Sequence, residues 1–315
     1  MDKTLDVVVV GELNVDLILN QIDSMPEIGE EKIAGQMDLT LGSSSAIFAS
    51  NLSSLGAGVS FIGKIGKDLF AELVLKSLQA KNVDTSRIIQ DATLATGATI
   101  VLSFDNERAM VTHPGAMDFL DISDIADEHL KKARHLHFSN YFLQPKIQPE
   151  IGTLFKRAKS LGLTTSFDTQ YDPAETWNID LPNVLPYVDV FLPNEIEAVN
   201  LSKKQNYRAA LDFLAETGNI VVIKRGVNGS ISKSGQDIIE VPAFLNENVV
   251  DAIGAGDSFN SGFIFKYIQG CSIKECQTFG NLTGAVSTTR AGGTTAFTNL
   301  NDVLQTGKKM FNYNI

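Results

Sequence analysis

Cysteine, tryptophan and histidine are nearly absent from this chain, at two, one and four among 315 residues. Cys271 and Cys276 are too few and too widely spaced for a zinc knuckle, and read as small residues near one helix start. With so little cysteine, a reducing cytoplasm is the expected compartment. Positive charge is also scarce. Lys and Arg number 26 against 37 Asp and Glu, leaving a net charge of −11 and a pI near 4.9. That balance argues against nucleic acid or an anionic membrane surface as a partner. It does not exclude small anions, because backbone amides bind phosphate even on an acidic protein. No apolar run approaches membrane-spanning length. The opening MDKTLDVVVVGELNVD runs directly into a strand-like segment, without the apolar core and cleavage site of a signal peptide.

What is present is ordinary for a globular protein, with 43% hydrophobic and 20% charged residues. The length suits one large α/β domain or two modest ones. VVVVG (Val7–Gly11) is a continuous apolar run closed by glycine, as in a strand buried on both faces. Similar runs recur at Val59–Gly63, His135–Ser139, Leu163–Asp168, Val188–Asn194 and Asn219–Gly226. Helix-like segments alternate with them at Ser45–Leu55, Asp68–Lys81, Ile147–Leu161, Ile196–Leu201 and Tyr207–Thr217, and the pattern after Asp257 is helical. Strands alternating with helices imply βαβ units and a mostly parallel sheet. Two stretches break the rhythm, about 17–41 and 96–112, with short alternating segments that read as antiparallel strands. They predict a small β flap inserted in a single domain spanning 1–315. There is no internal repeat.

Two phosphate-binding patterns are excluded. GVSFIGKI (Gly58–Ile65) imitates a Walker A loop but has Ile65 where a magnesium-binding Ser or Thr belongs. GAGDSF lacks the third glycine of a dinucleotide fingerprint, which disfavours a Rossmann dehydrogenase. In an open parallel sheet, ligands bind at the carboxyl ends of strands. Asn14 and Asp16, Gly42 to Ser44, Asp168, Asn194 to Glu197, Lys224 to Gly226 and Asp251 to Asp257 all fall at such positions. Any one of them has a plain reading. Asp257 and the Asn194–Glu197 acids can be helix caps, and Lys224 and Arg225 ordinary solvated charges. So many polar groups at one sheet edge exceed what capping needs.

The segments DAIGAGDSFNSGF, PNEIEA, KRGVNGS, GELNVD and LGAGVSFIGKIGKDLF, in this order-bearing arrangement over nearly the whole chain, resemble the PfkB or ribokinase family of sugar kinases. The resemblance implies a ribokinase-like three-layer α/β sandwich with a mostly parallel sheet and a small β-stranded lid. It implies transfer of the γ-phosphoryl group of ATP to a hydroxymethyl group of a sugar. Asp257 would be the base, with Gly254, Ala255 and Gly256 forming an anion hole. Backbone amides at a helix N-terminus suit that charge, and glycine lets the backbone approach phosphate.

By the same resemblance Glu197 would organise Mg2+ through water, and Asn194, Lys224, Arg225, Gly226, Gly229, Gly256 and Asn281 would serve ATP. Asp251, Ile253, Ser287, Arg290, Gly292 and Ala296 match a monovalent-cation site, usually for K+, built mostly from carbonyl oxygens. Asn14, Asp16, Gly42, Ser43, Ser44 and Asn140 would meet the sugar. Here the chain departs from relatives. GSSSAIF stands where they read Gly-Gly-x-Gly-x-Asn, so Ala46 replaces an asparagine. FDTQYDP has Gln170 and Asp172 where many carry asparagine and arginine. These changes fall on specificity.

Arg108 reads as either a residue over the substrate or a solvent-facing hairpin arginine. His135 and His137 share a strand face without a third ligand, and read as satisfied strand histidines. Trp177 reads as loop or surface packing. The apolar face of the lid could pair with a second copy to give a homodimer. Alternatives to a sugar kinase are a nucleoside kinase of the same fold and a non-catalytic sugar or nucleotide sensor.

Overall fold

Strand β1 (Leu5–Val10) sets the layering, because successive side chains of a strand leave on opposite faces. Val7 and Val9 enter one hydrophobic core and Val8 and Val10 another. A strand covered on both faces belongs inside a sheet sandwiched between helices. The computed structural model describes residues 3–104, 107–217 and 219–314, with the side chains of Glu107 and Arg108 outside the description.

After β1 come β2 (Asn14–Asn20), β3 (Gln36–Leu41), α1 (Ser44–Ser54), β4 (Val59–Ile65), α2 (Leu69–Ala80), β5 (Asp84–Gln90), β6 (Gly97–Phe104) and β7 (Glu107–His113). The middle supplies α3 (Asp127–Leu130), β8 (Ala133–Ser139), α4 (Ile151–Ser160), β9 (Thr164–Asp168), α5 (Leu181–Val184) and β10 (Val190–Phe191). Then follow α6 (Glu195–Ser202), α7 (Tyr207–Leu214), β11 (Ile220–Lys224), β12 (Ser230–Ser234) and β13 (Asp237–Val241). Helices α8 (Ala255–Tyr267), α9 (Ile273–Ser287) and α10 (Leu300–Phe311) come last.

Nine strands form the large sheet, in the order β13-β12-β11-β10-β9-β8-β1-β4-β5. From β5 to β11 every pairing is parallel, so those strands all end on one edge. Helices α1, α2, α8, α9 and α10 fill the core that holds Val7 and Val9. Helices α4, α6 and α7 pack on the other, around the mutually tilted rings of Phe155, Phe167 and Phe191. The smaller sheet, β3-β2-β6-β7, lies beside the carboxyl edge.

The expected helices and the central strands are present within a few residues. Three differences have physical causes. The smaller sheet is mixed, because β2 and β6 arrive from separate segments and pair in parallel, while its two hairpin-like pairs are antiparallel as expected. Strands β5 and β13 at the sheet edges, and β12 next to one edge, escape notice because they lack continuous apolar runs. The run Val188–Asn194 is strand only at Val190–Phe191. Trp177 is not surface packing. It is 9% exposed and stands edge-on to Phe142 and Tyr171. No helix among the described residues is long and apolar enough to cross a membrane.

Candidate active site

The parallel strands deliver one polar group after another to the same edge. Glu12 follows β1, Asn140 follows β8, Asp168 ends β9, Asn194 follows β10 and Lys224 ends β11. Asp168 is fully buried and is the hub. Its Oδ2 accepts from Lys224 Nζ at 2.6 Å, Asn260 Nδ2 at 2.6 Å and Gln170 Nε2 at 3.0 Å. Gln170 Nε2 also donates to Asp257 Oδ1, at 2.9 Å. Burial, and then the Asp168 carboxylate, push Asp257 up to about 7. The same two causes carry Glu197 up to about 8. Burial works against the Lys224 ammonium, but Asp168 and Glu197 outweigh it and hold its pKa above the ordinary lysine value.

Asp257 lies in the first turn of α8, behind Gly254 at the N-cap. Gly254 has φ +72°, and a Cβ there would come within 2.9 Å of the Gly293 Cα, so only glycine fits. No side chain caps α8, whereas Asp68, Asn194, Asn206, Ser272 and Asn299 cap α2, α6, α7, α9 and α10. The N–H groups of Gly256 and Asp257 donate to no backbone carbonyl among the described residues and leave an opening that suits an anion, whereas that of Ala255 donates to Ala252 O at 3.3 Å. Lys224 Nζ lies 3.7 Å from where a Cβ on Gly256 would stand, so a buried ammonium backs the same turn.

A cavity of about 660 Å3 opens in front of this turn. Its polar wall includes Asn194, Glu197, Lys224, Gly226, Gly229 and Asn281, and its apolar wall Phe244, Leu245, Val249 and Ala285. Asn281 donates to the carbonyls of Val241 and Pro242, and so fixes the wall it belongs to. Asn194 and Glu197 form a reciprocal cap, with Asn194 N donating to Glu197 Oε2 at 2.8 Å and Asn194 Nδ2 to Oε1 at 2.6 Å. The capping reading of this pair thus holds, and the pair also lines the cavity. Arg225 does not join them. Adjacent strand-end residues face opposite ways, and its guanidinium lies 4.2 Å over the Tyr207 ring near Glu195 and Glu240. Lys224 is no solvated charge; its side chain is 11% exposed.

On the other side of Asp257 stand Asn14 and Asp16, both on β2. Asn14 Nδ2 donates to Thr99 Oγ1 at 2.8 Å and to Asp16 Oδ1 at 3.3 Å, while its Oδ1 is buried without a partner among the described residues. Burial is the main cause that lifts Asp16 to about 6. A Cβ on Gly42 would strike Asp16 Oδ1 at 2.2 Å, so the glycine keeps this corner open. The Ser44 side chain favours the ionised Asp257, in the opposite direction to burial. Ser43 is occupied otherwise, its hydroxyl donating to Glu12 O and accepting from Ala46 N as the cap of α1. Asn140 gives its amide to Glu12 Oε1 at 3.2 Å.

Behind the turn, Asp251 ties two loops together, accepting from Ile253 N at 2.8 Å and Gly292 N at 2.9 Å. The carbonyls of Asp251, Ile253, Arg290 and Ala296 accept no backbone hydrogen bond among the described residues, whereas Ser287 O accepts from Arg290 N at 3.5 Å and Gly292 O from Thr295 Oγ1 at 3.3 Å. Ser287 lies on α9, its hydroxyl bonded to Gly284 O. No group of three His, Cys, Asp or Glu able to hold a metal occurs among the described residues. Glu197, buried, elevated and lining the cavity, is nevertheless the kind of carboxylate that a water-bound divalent cation would relieve.

Sequence reasoning missed Glu12, a buried acid that accepts from Ser45 N and Oγ and from Asn140, with burial raising its pKa. The signal was an acid directly after the buried β1 run. It also missed Asn260, three residues past Asp257 on the same helix face. His135 binds Thr164 and Ser166, and His137 binds Ser166 and stacks on Phe48. Both are core histidines, although His137 Nε2 has no partner among the described residues. The side chain of Arg108 lies outside the described residues.

The chain matches the profile of the pfkB family carbohydrate kinases over residues 4–299. An uncharacterized sugar kinase of Archaeoglobus fulgidus is 29% identical over 235 residues, 74% of this chain and 92% of that protein. The crystal structure of adenosine kinase from Sinorhizobium meliloti superposes with a TM-score of 0.85 at 25% identity, over 96% of this chain and 99% of that one. That of ribokinase from Thermotoga maritima gives 0.83 at 26% identity, over 97% and 100%. The fold is the ribokinase fold.

The raised carboxyls fix a pH dependence of stability. A carboxyl whose pKa is higher folded than unfolded binds its proton more tightly in the native state, so its contribution is complete below about pH 4 and is lost as pH rises through the folded value. For Asp257 that window closes at about 7. The melting temperature of the ligand-free protein is expected to fall between pH 5 and pH 8, and to fall less in Asp257→Asn. Equal falls in the two proteins, measured by calorimetry, would contradict the assignment.

Proposed function

The chain belongs to the pfkB family of carbohydrate kinases, and from that premise we propose that it moves the γ-phosphoryl group of ATP to a hydroxymethyl group of a monosaccharide. The carrying observation is the position of Asp257. It is a buried carboxyl on an uncapped helix start, with the polar corner of Asn14 and Asp16 on one side and the 660 Å3 cavity on the other.

In this reading Asp257 accepts the proton of the acceptor hydroxyl as the oxygen bonds to phosphorus and the bond to ADP breaks. The N–H groups of Gly256 and Asp257 and the Lys224 ammonium stabilise charge on the transferring group. Glu197 and Asn194 would hold the waters of Mg2+, which when bound neutralises phosphate charge. The carbonyls beside Asp251 would hold K+, fixing the loop that leads into the anion site. The apolar wall of Phe244, Leu245 and Val249 suits an adenine base.

The acceptor is read as a sugar rather than a nucleoside because the sheet face toward the site is largely polar. Register places Asn14, Asp16, Asn20, Asp38, Thr40 and Thr99 on that face. The smaller sheet would act as the lid of a single kinase domain, its closure excluding water as a competing acceptor. Cytoplasmic ATP suits the chemistry.

The lid's outer face supports a homodimer. Leu39, Leu17, Ile100 and Val111 run in register across all four strands, and Val111 is 69% exposed. Replacing Ile100 and Val111 together by lysine should convert a dimer to a monomer by analytical ultracentrifugation. A wild-type monomer would remove this part of the reading.

The function is tested by ADP release with ATP, Mg2+ and K+ over a panel of pentoses, hexoses, sugar acids and nucleosides. One acceptor should dominate, and Asp257→Asn should lower kcat by about 10²–10⁴-fold, the usual contribution of a general base. Undiminished turnover in the variant would overturn the assignment of the base, and ATP binding without any turnover would favour a sensor.

A further inference from the structure

Gln170 occupies an unusual backbone. Its φ is +59°, in the left-handed region that a residue with a Cβ rarely adopts. It lies two residues past the end of β9 and belongs to the cavity wall. The left-handed turn sends its amide group back toward the hub. There the single nitrogen reaches two carboxylates, Asp168 Oδ2 at 3.0 Å and Asp257 Oδ1 at 2.9 Å. Carboxylate oxygens only accept, and an amide nitrogen has two hydrogens, so the nitrogen and not the oxygen faces them, one hydrogen to each.

This arrangement has a consequence for the base. An aspartate has two oxygens and a rotatable terminal torsion, and only one oxygen can meet an acceptor hydroxyl in line with the phosphoryl group. Oδ1 is taken by Gln170. Asp168 itself is held by Lys224 and Asn260, so Gln170 is anchored at its far end by a rigid, buried partner. We infer that Gln170 is a positioning residue: its amide, strung between Asp168 and Asp257, holds the Asp257 carboxylate so that Oδ2 is the oxygen presented to the acceptor. The inference rests on the reading of Asp257 as base. It also assigns a role to a position at which this chain departs from its relatives, since the longer glutamine spans the two acids.

The charged and titratable groups around Asp257 come from four elements or their ends: Asp168 of β9, Lys224 of β11, Glu197 of α6 and Glu12 after β1. Asp168 and Glu12 raise its proton affinity, and Lys224 and the neutral Ser44 side chain lower it. Gln170 is a neutral donor beside them, so its loss removes a hydrogen bond to the ionised form without changing the charge count.

The test compares wild type with Gln170→Gly, Gln170→Leu and Gln170→Glu. Glycine accepts the left-handed backbone without strain, so that variant should fold while losing the bridge. Two measurements are made. One is kcat, the KM for ATP, and the pH profile of kcat/KM with the preferred acceptor. The other needs no turnover: a 13C titration of the aspartate carboxyls in the ligand-free protein, with the Asp257 signal identified by its loss in Asp257→Asn.

Gln170→Gly and Gln170→Leu should lower kcat by roughly 10–100-fold, as misplaced reacting groups do, with the KM for ATP unchanged. The Asp257 titration and the acid limb should both move up, by about one pH unit. Gln170→Glu should move them further, because a like charge then faces the base. Wild-type kcat and an unmoved Asp257 titration in Gln170→Gly would overturn the inference. A moved titration in an enzyme whose turnover is indifferent to Asp257→Asn would instead overturn the reading of Asp257 as base, and the inference with it, while leaving the hydrogen bond intact.

Discussion

The buried contact between Lys224 and Asp168 is the constraint on which the rest of the site depends. Most ion pairs on this molecule lie at the surface, such as Lys76–Glu72, and each contributes about 0–1 kcal/mol. At 2.6 Å, with Asp168 fully buried and Lys224 at 11%, the hub pair is different in kind. Removing one partner of such a pair costs about 3–5 kcal/mol, because the other is left charged and unpaired in the interior. The pair joins the ends of β9 and β11 to α8 through Asn260, and it sets the field in which Asp257 and Glu197 hold their protons. One local balance of charge thereby serves the fold and the chemistry together.

Around this hub the chain accepts unfavourable local structure. Ser43, Asn140 and Gln170 all have φ between +59° and +69°, each just past the end of a strand at the active edge. Non-glycine residues in that region cost of order 1–3 kcal/mol each and persist where the surroundings dictate them. Here each strained turn directs a polar side chain inward: Ser43 to the cap of α1, Asn140 to Glu12 and Gln170 to the two acids. The uncapped start of α8 belongs to the same pattern. A helix end left without a side-chain partner is favourable only if something else satisfies its N–H groups, and in the proposed reaction a phosphoryl group would do so.

Much of this was legible from residues alone. The run VVVVG carries its own two-sided burial, and GAGD carries an open helix start followed by an acid. Other features depend on tertiary placement. The strands SISKS and DIIEV form an antiparallel pair at one side of the sheet, and neither offers a long apolar run to read. Lys224 and Arg225 are alike as letters, yet the alternation of a strand sends one to the hub and the other onto Tyr207. Trp177 is buried by Phe142 and Tyr171, partners that sequence spacing does not reveal. Gln170 was visible as a departure from its relatives, but its contacts with Asp168 and Asp257 required the left-handed turn to be seen.

The most direct measurement is a crystal structure with the acceptor and a non-hydrolysable ATP analogue bound together. The acceptor hydroxyl is predicted to lie about 2.6–3.2 Å from Asp257 Oδ2, the distance a general base requires, with the terminal phosphate against the N–H groups of Gly256 and Asp257. A terminal phosphate seated away from that helix start, or a hydroxyl beyond hydrogen-bond reach of Asp257, would contradict the account.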